Sequence, residues 1–534
     1  MADFGEILRN IGEFGLFQRV TLAALCFINF IQGFLLASFL FIEKNPDRHC
    51  NTDWILGLDP NLTTDEQLNL TLPREADGTF SRCQMFVPVD WDIDAIREFG
   101  LNKTTSCQNG WVYKSTLYTA TIVTDFDLVC EKANLLEIIQ AISMVGILLG
   151  SLLFGPLAES FGRKWAIQVP AVITFIFVLA SGFSPDMYSF MVISLFAGVG
   201  TGGNRVTSIV LTTEWIGASK RSWGVCLTLL FTSVGQCALA GLVYYIRDWR
   251  LVQIIIAAPL GVVLLYIWFI PESARWLLSR GRTEEAKRLI MKAAAINKHT
   301  IPDSLLENIS MKEAVNDGGI KYIFRSRLLS RYFVTILLAR FSLNASLLGL
   351  HLNMANLGLN VFLTQFIFGA IEIPVYILCI WLLEVFGRKP LFMLTLATAG
   401  LSSILILAVP QGCGIAVTFL AAVSRFFLMW AGSVCNVLVQ ELFPTTVRQT
   451  ATGLSSISAR LGGIVAPLLN ITATYHWIIP IVVSSSLTFI SGGLGFMLPE
   501  TRRRELPDSI DEAEGNRNVI QTNRNCPYSV STKL

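Results

Sequence analysis

The chain has 534 residues, of which 53% are hydrophobic and 15% charged. A soluble chain carries about 25% charged residues, so this composition excludes an ordinary soluble enzyme. The formal net charge of +2 gives no basic surplus of the kind that points to nucleic acid. The apolar residues fall instead in runs of about 20, the length of a helix that crosses a bilayer.

In chain order, residues 1–19 lead into a first apolar run at 20–42. That run is too long, and lacks the small-residue cleavage site, for a cleavable signal peptide. Segment 43–134 follows, with 8 Lys/Arg against 15 Asp/Glu. It holds Cys50, Cys83, Cys107 and Cys130 and the sequons at Asn61, Asn69 and Asn102. Spans are predicted at 135–157, 165–184, 188–213, 222–245 and 250–270, making a first half over 20–270. Segment 271–330 is a polar linker; residues 271–331 carry 12 Lys/Arg against 7 Asp/Glu. Six further spans, at 331–353, 360–383, 390–409, 413–440, 449–471 and 476–498, make a second half over 331–498, and 499–534 is a tail.

Loop charge sets the orientation. The linker and the short turns with Arg163/Lys164, Lys220/Arg221 and Arg388/Lys389 share one side, which the positive-inside rule assigns to the cytosol. Both termini are then cytosolic and 43–134 is outside. Four cysteines in an oxidising space predict two disulfides, with three connectivities open. The three sequons on that side predict glycosylation.

Some loop sequences occur twice. Glu159, Phe161, Gly162, Arg163 and Lys164 recur as Glu384, Phe386, Gly387, Arg388 and Lys389. Glu214 to Arg221 recurs as Glu441 to Arg448, and Pro271-Glu272 as Pro499-Glu500. One order and nearly one offset predict two parallel six-helix halves. Each Gly permits a tight turn. The repeated basics fix topology and are expected to pair with acids, with Glu159 and Glu384 favoured, as cytosolic latches.

The stretches GWVYKSTLYTATIVTDFDLVCE (110–131), IRDWR (246–250), PESARWLLSRGR (271–282) and ELFPTTVRQTATGL (441–454) carry a family resemblance. Over 1–505 the chain resembles the solute carrier 22 family of organic ion transporters within the major facilitator superfamily. LPREADGTF (72–80) and LGLNVFLTQFIFGAIEIP (357–374) are most similar to its organic anion branch. The resemblance implies an all-α membrane protein: twelve transmembrane helices in two six-helix pseudo-repeats, a large extracellular loop after the first helix, and plasma-membrane transport by alternating access.

Ionisable residues deep in a span are functional candidates. Arg460 lies eleven residues from either end of 449–471, roughly 16 Å at 1.5 Å per residue. Ser455, Ser456, Ser458, Ala459, Gly462 and Gly463 surround it, and small residues allow close packing and a wet wall. A guanidinium holds a carboxylate through two parallel hydrogen bonds. The alternative is a structural ion pair with the equally deep Glu372. The resemblance places an Arg here in anion carriers, and also in carnitine-type carriers. Two positions depart from the anion pattern: Val375 and Tyr376 follow Pro374 where a Lys is common, and Leu347 and Leu348 precede Gly349 where a Tyr pair is common. Both departures favour monovalent, less aromatic anions.

Asn29 and Asn353 are further cavity candidates or helix-to-helix bonding groups, as are Asn204, Gln365 and Asn436. Phe30, Phe426 and Trp430 are candidates for stacking on substrate. Arg340 and Arg425 add positive potential or pair structurally, and Arg205 is placed nearer the cytosolic end as a gate or topology residue. Gly198-Val-Gly-Thr-Gly-Gly203 fits a dinucleotide motif but lies in a span, so helix packing is expected. Thr532 and Leu534 fit a PDZ-type ligand. No nucleophile–base pair, metal set or cofactor site is expected. The expected partners are an organic anion, exchanged for an intracellular anion or taken up alone, and the bilayer. The rival readings are a zwitterion or cation carrier that uses Glu372, and a non-transporting receptor that uses the outer loop.

Overall fold

The computed structural model describes residues 4–42, 46–75, 78–114, 120–217, 220–302, 320–355, 361–409, 414–443, 445–472, 476 and 478–502. Twelve long helices coincide with the twelve predicted spans. In the first half they are α1 (Leu16–Ile42), α2 (Asn134–Phe161), α3 (Arg163–Ser181), α4 (Met187–Trp215), α5 (Arg221–Tyr245) and α6 (Trp249–Tyr266). In the second they are α7 (Arg327–Ala355), α8 (Val361–Phe386), α9 (Arg388–Ala408), α10 (Gly414–Leu442), α11 (Thr445–Ile471) and α12 (Ile478–Leu494).

Over their described residues, ten of these helices are long and apolar enough to cross a membrane. Helices α4 and α11 stand out in composition. Both carry an arginine and many small polar residues. That composition suits helices that face a polar interior rather than lipid. Each half has its own apolar core: one gathers Leu25, Ile28, Ile256 and Leu260, the other Ile336, Phe392, Val434 and Leu438. The halves meet mainly where α5 packs on α8 and α2 on α11.

Small residues set the closest crossings. A Cβ added at Gly198 would lie 2.6 Å from the carbonyl oxygen of Ser143 on α2. The glycine run in α4 therefore serves backbone-to-backbone packing, as expected, and has no strand beside it to make a nucleotide loop.

The segment between α1 and α2 forms a small unit of its own. Strand β1 (Asp47–Cys50) pairs antiparallel with β4 (Trp111–Lys114), and β2 (Gln84–Phe86) with β3 (Thr104–Ser106). Disulfides join Cys50 to Cys107 and Cys83 to Cys130, which selects one of the three connectivities. The unit is tied to the start of α6, where Asp125 accepts from Trp249 Nε1 at 2.9 Å and pairs with Arg250 at 3.2 Å. Asn61, Asn69 and Asn102 are all exposed.

The linker packs on the first half. Helix Ala274–Ser279 sends Trp276 Nε1 to the Glu159 carbonyl at 2.7 Å. At the end of helix Thr283–Asn297, Asn297 accepts from the Phe17 amide at 2.8 Å and donates to the Ile11 carbonyl at 3.0 Å. It thereby clamps the short N-terminal helix Phe4–Ile11 to the start of α1. Thr532 and Leu534 lie outside the described residues.

Candidate functional site

The turn between α2 and α3 shows what the repeated loop does. Gly162 has φ +106°, a region that side chains other than glycine rarely adopt. The chain then enters α3 with its first amide hydrogens unsatisfied. Glu272 fills that need: its carboxylate accepts from the Arg163 amide at 2.8 Å and the Lys164 amide at 3.1 Å. The Arg163 guanidinium turns to Glu214 on α4, with Nη2–Oε1 at 3.0 Å and Nε–Oε1 at 3.2 Å. Its Nη1 donates to the Ala158 carbonyl at 2.9 Å.

The second half repeats this group for group. Gly387 has φ +90°, and a Cβ there would lie 2.7 Å from Glu500 Oε2. Glu500 accepts from the Arg388 amide at 2.9 Å and the Lys389 amide at 3.0 Å. Arg388 pairs with Glu441 through Nη2 at 2.9 Å and Nε at 3.0 Å, and its Nη1 donates to the Leu383 carbonyl at 3.0 Å. The sequence repeat is therefore a structural repeat.

One expectation about these turns is corrected. Glu159 is not the acid that pairs with Arg163. Its main-chain carbonyl accepts from Trp276 and Arg280, while Glu214 and Glu272 supply the carboxylates. The geometric reason is direction: Glu159 lies on α2 before the turn, whereas the guanidinium reaches across to α4. Each pair joins elements of one half. The side chains of Arg221, Glu384 and Arg448 lie outside the described side chains. The signal for Glu272 and Glu500 was their own recurrence after a proline, since a carboxylate brought to a helix N-terminus satisfies it.

Deep in the bundle, Glu372 on α8 is buried, with 1% of its surface exposed. It pairs with Arg425 of α10 at 2.8 Å and accepts from Ser233 Oγ of α5 at 2.5 Å. Arg425 also lies over the Phe368 ring, 4.3 Å from its centre. Glu372 is thus already committed, and Arg460 is not its partner. This corrects both the ion-pair alternative for Arg460 and the place of Glu372 among substrate-binding residues. A buried pair is costly to break from one side, because the remaining charge is left uncompensated. Glu372→Gln is expected to cost about 3–5 kcal/mol, and Glu372→Gln/Arg425→Gln less, as read from thermal unfolding in detergent.

Arg340 of α7 donates to Asn436 Oδ1 of α10. Arg460 remains. Two residues before it, Ser458 Oγ donates to the Leu337 carbonyl at 2.6 Å, and two residues after it Gly462 packs on the Phe341 carbonyl. Those contacts set one face of α11 against α7. Arg460, about 200° around the helix from Ser458, leaves from the other side. It is half-buried, and no side-chain hydrogen bond or ion pair engages it among the described residues. Arg205 of α4 is likewise without a side-chain partner there. Its charge and those of Arg340 and Arg460 act on one another, and it also feels Glu372 and Tyr376. Arg205 therefore lies within electrostatic reach of these deep groups. Its place was missed because counting along α4 gives depth but not direction.

The remaining candidates separate. Asn29 is buried and donates to the Leu25 carbonyl at 2.8 Å and to Ser208 Oγ at 3.4 Å, so it bonds α1 to α4 rather than facing substrate. Tyr376 is buried among Val225 and Leu229 of α5, which makes it part of the contact between the halves. Phe30 is half-buried in a ring series with Phe27 and Phe34. Phe426 meets the Trp430 ring edge-on at 5.8 Å, and Trp430 is buried. The side chain of Asn353 lies outside the described side chains.

Two homologous six-helix halves around a central polar cluster define a secondary transporter of the major facilitator type. A family model described as "Sugar (and other) transporter" matches residues 91–512. The solved structure "Partially occluded inward open conformation of the xylose transporter XylE from E. coli" has a TM-score of 0.52 at 18% identity, covering 91% of this chain and 100% of that one. Solute carrier family 22 member 13 of Homo sapiens is 35% identical over 96% of this chain and 94% of its own length. The "Organic cation transporter protein" of Drosophila melanogaster is 30% identical over 96% and 94%. The chain belongs to solute carrier family 22 and is a multi-pass membrane protein.

Proposed function

We propose that the protein carries small organic anions, monocarboxylates in particular, across the plasma membrane by alternating access. The observation that carries this reading is the state of the deep charges. Glu372 is neutralised by Arg425, and Arg340 is engaged with Asn436, while among the described residues no side chain engages Arg460 or Arg205. A central site with surplus guanidinium groups attracts an anion and repels a cation, and a buried guanidinium without a counter-charge is costly until a carboxylate arrives. Arg460 comes from the second half and Arg205 from the first. An anion held between them is engaged by both halves, and rocking of one half on the other exposes it to either face. Uptake alone and exchange for an intracellular anion both fit this scheme.

The relatives include one whose name specifies organic cations, so the sign of the substrate rests on this site and not on kinship. Competition for uptake separates the readings. Nicotinate- and urate-like anions are expected to inhibit uptake, and carnitine-like or quaternary ammonium compounds are not. Inhibition by the second group alone would favour a zwitterion or cation carrier. Ligand binding without uptake across the panel would favour a receptor.

In this reading the linker and both termini are cytosolic and the disulfide-bonded unit is extracellular and glycosylated. Glycosidase treatment of the protein from mammalian cells is expected to increase its gel mobility. The same treatment should leave unchanged a variant with Asn61→Gln, Asn69→Gln and Asn102→Gln.

A further inference from the structure

A groove of about 900 Å³ opens beside the linker, away from the central cluster. This size lies at the upper end of the roughly 300–1,000 Å³ that holds a drug-sized ligand. One wall is apolar and comes from the ends of two membrane spans. Leu16 and Val20 on α1 are 59% and 60% exposed, and Trp268 and Phe269 after α6 are 60% and 86% exposed. Residues 16 and 20 lie one turn apart, so their side chains form one greasy stripe. A Trp and a Phe at the end of a span mark the level of the headgroups.

The other wall is basic. Arg288 and Lys292 lie one turn apart on helix Thr283–Asn297 and face the groove with Lys164. Two carboxylates also line it, and both are occupied. Glu272 caps α3, and Glu285 is held by Arg282 through bonds of 2.9 and 2.6 Å. Among the described residues no hydrogen bond or ion pair engages the side chains of Lys164, Arg288 or Lys292. The groove therefore offers three free cations above an apolar slot at membrane depth.

We propose that this groove binds an anionic phospholipid of the leaflet next to the linker. Its phosphate meets Lys164, Arg288 and Lys292, and an acyl chain lies along α1 and Trp268. The charge is complementary, and basic side chains near a membrane surface attract anionic lipid. A lipid held there joins the linker to α1 and to the turn that starts α3, so it fastens three parts of the first half at their common end. Only the choice of leaflet rests on the orientation proposed above. A disc that offers lipid to both faces tests the site whether or not that orientation holds.

The test uses the full chain in nanodiscs of phosphatidylcholine with or without phosphatidylserine, reading retained lipid by native mass spectrometry and the melting temperature. Phosphatidylserine is expected to be retained and to raise the melting temperature of the wild type. Arg288→Gln/Lys292→Gln is expected to melt like the wild type in phosphatidylcholine alone. It should bind phosphatidylserine about 30-fold more weakly, five- to sixfold for each basic residue lost. Lys103→Gln/Lys114→Gln, with the same charge removed from the outer unit, should behave as the wild type. Equal retention and equal shift in Arg288→Gln/Lys292→Gln would overturn the proposal. So would equal loss in the Lys103/Lys114 control, or the full shift produced by inorganic phosphate alone.

Discussion

Arg460→Ala is expected to reach the cell surface at the wild-type level and to lose most carboxylate uptake. A hydrogen bond to a charged group contributes about 1.5–3 kcal/mol, which corresponds to a roughly 10- to 150-fold fall in kcat/KM. The surface level should hold because among the described residues no side chain pairs with Arg460: removing it takes away a half-buried charge without orphaning another. Arg460→Lys keeps the charge and loses the planar fork, so it should recover part of the uptake. Initial-rate uptake, normalised to surface protein, checks both. Wild-type kinetics in Arg460→Ala would remove Arg460 from the substrate site.

The second large effect is expected at the α3 turn. Arg163 and Glu214 have side chains only 11% and 13% exposed, so this pair is not the weak surface kind. Arg163→Gln or Glu214→Gln alone leaves the other charge buried and should cost about 3–5 kcal/mol. The combined variant should be milder than either, because neither charge is stranded. Arg388→Gln and Glu441→Gln should repeat the pattern in the second half. Thermal unfolding in detergent, together with surface level, reads it. A latch that opens in every cycle predicts the opposite division, with turnover impaired and melting unchanged. Because each pair lies within one half, stability is the property expected to move most.

These two sites differ in how much of them was legible in the sequence. The twelve helices were legible because hydrophobic length is a one-dimensional property, and the two halves because the turn motifs recur. The glycine at each turn was also legible, since Gly162 and Gly387 need positive φ whatever surrounds them. Partner choice was not. Arg163 reaches Glu214, 51 residues on, and leaves the nearby Glu159 aside. Arg425 reaches Glu372, 53 residues back. Nothing in spacing along the chain encodes which face of one helix meets which face of another. For that reason Glu372 looked like a free counter-charge until its partners were in place, and Arg205 looked remote from the central cluster. Depth marked Arg460 as a candidate, and no side chain engages it among the described residues.

The helices α4 and α11 make the same point from the other side. Both are rich in small polar residues, and that composition suits helices that carry Arg205 and Arg460 toward the interior.

In the proposed scheme Arg460 is the group that holds the substrate's carboxylate. Binding to purified protein tests it most directly, because it needs no transport cycle. A series of monocarboxylates should raise the melting temperature of the wild type in proportion to affinity and leave Arg460→Ala unmoved, while quaternary ammonium compounds shift neither. Equal stabilisation of Arg460→Ala and wild type by the same monocarboxylate would contradict the account.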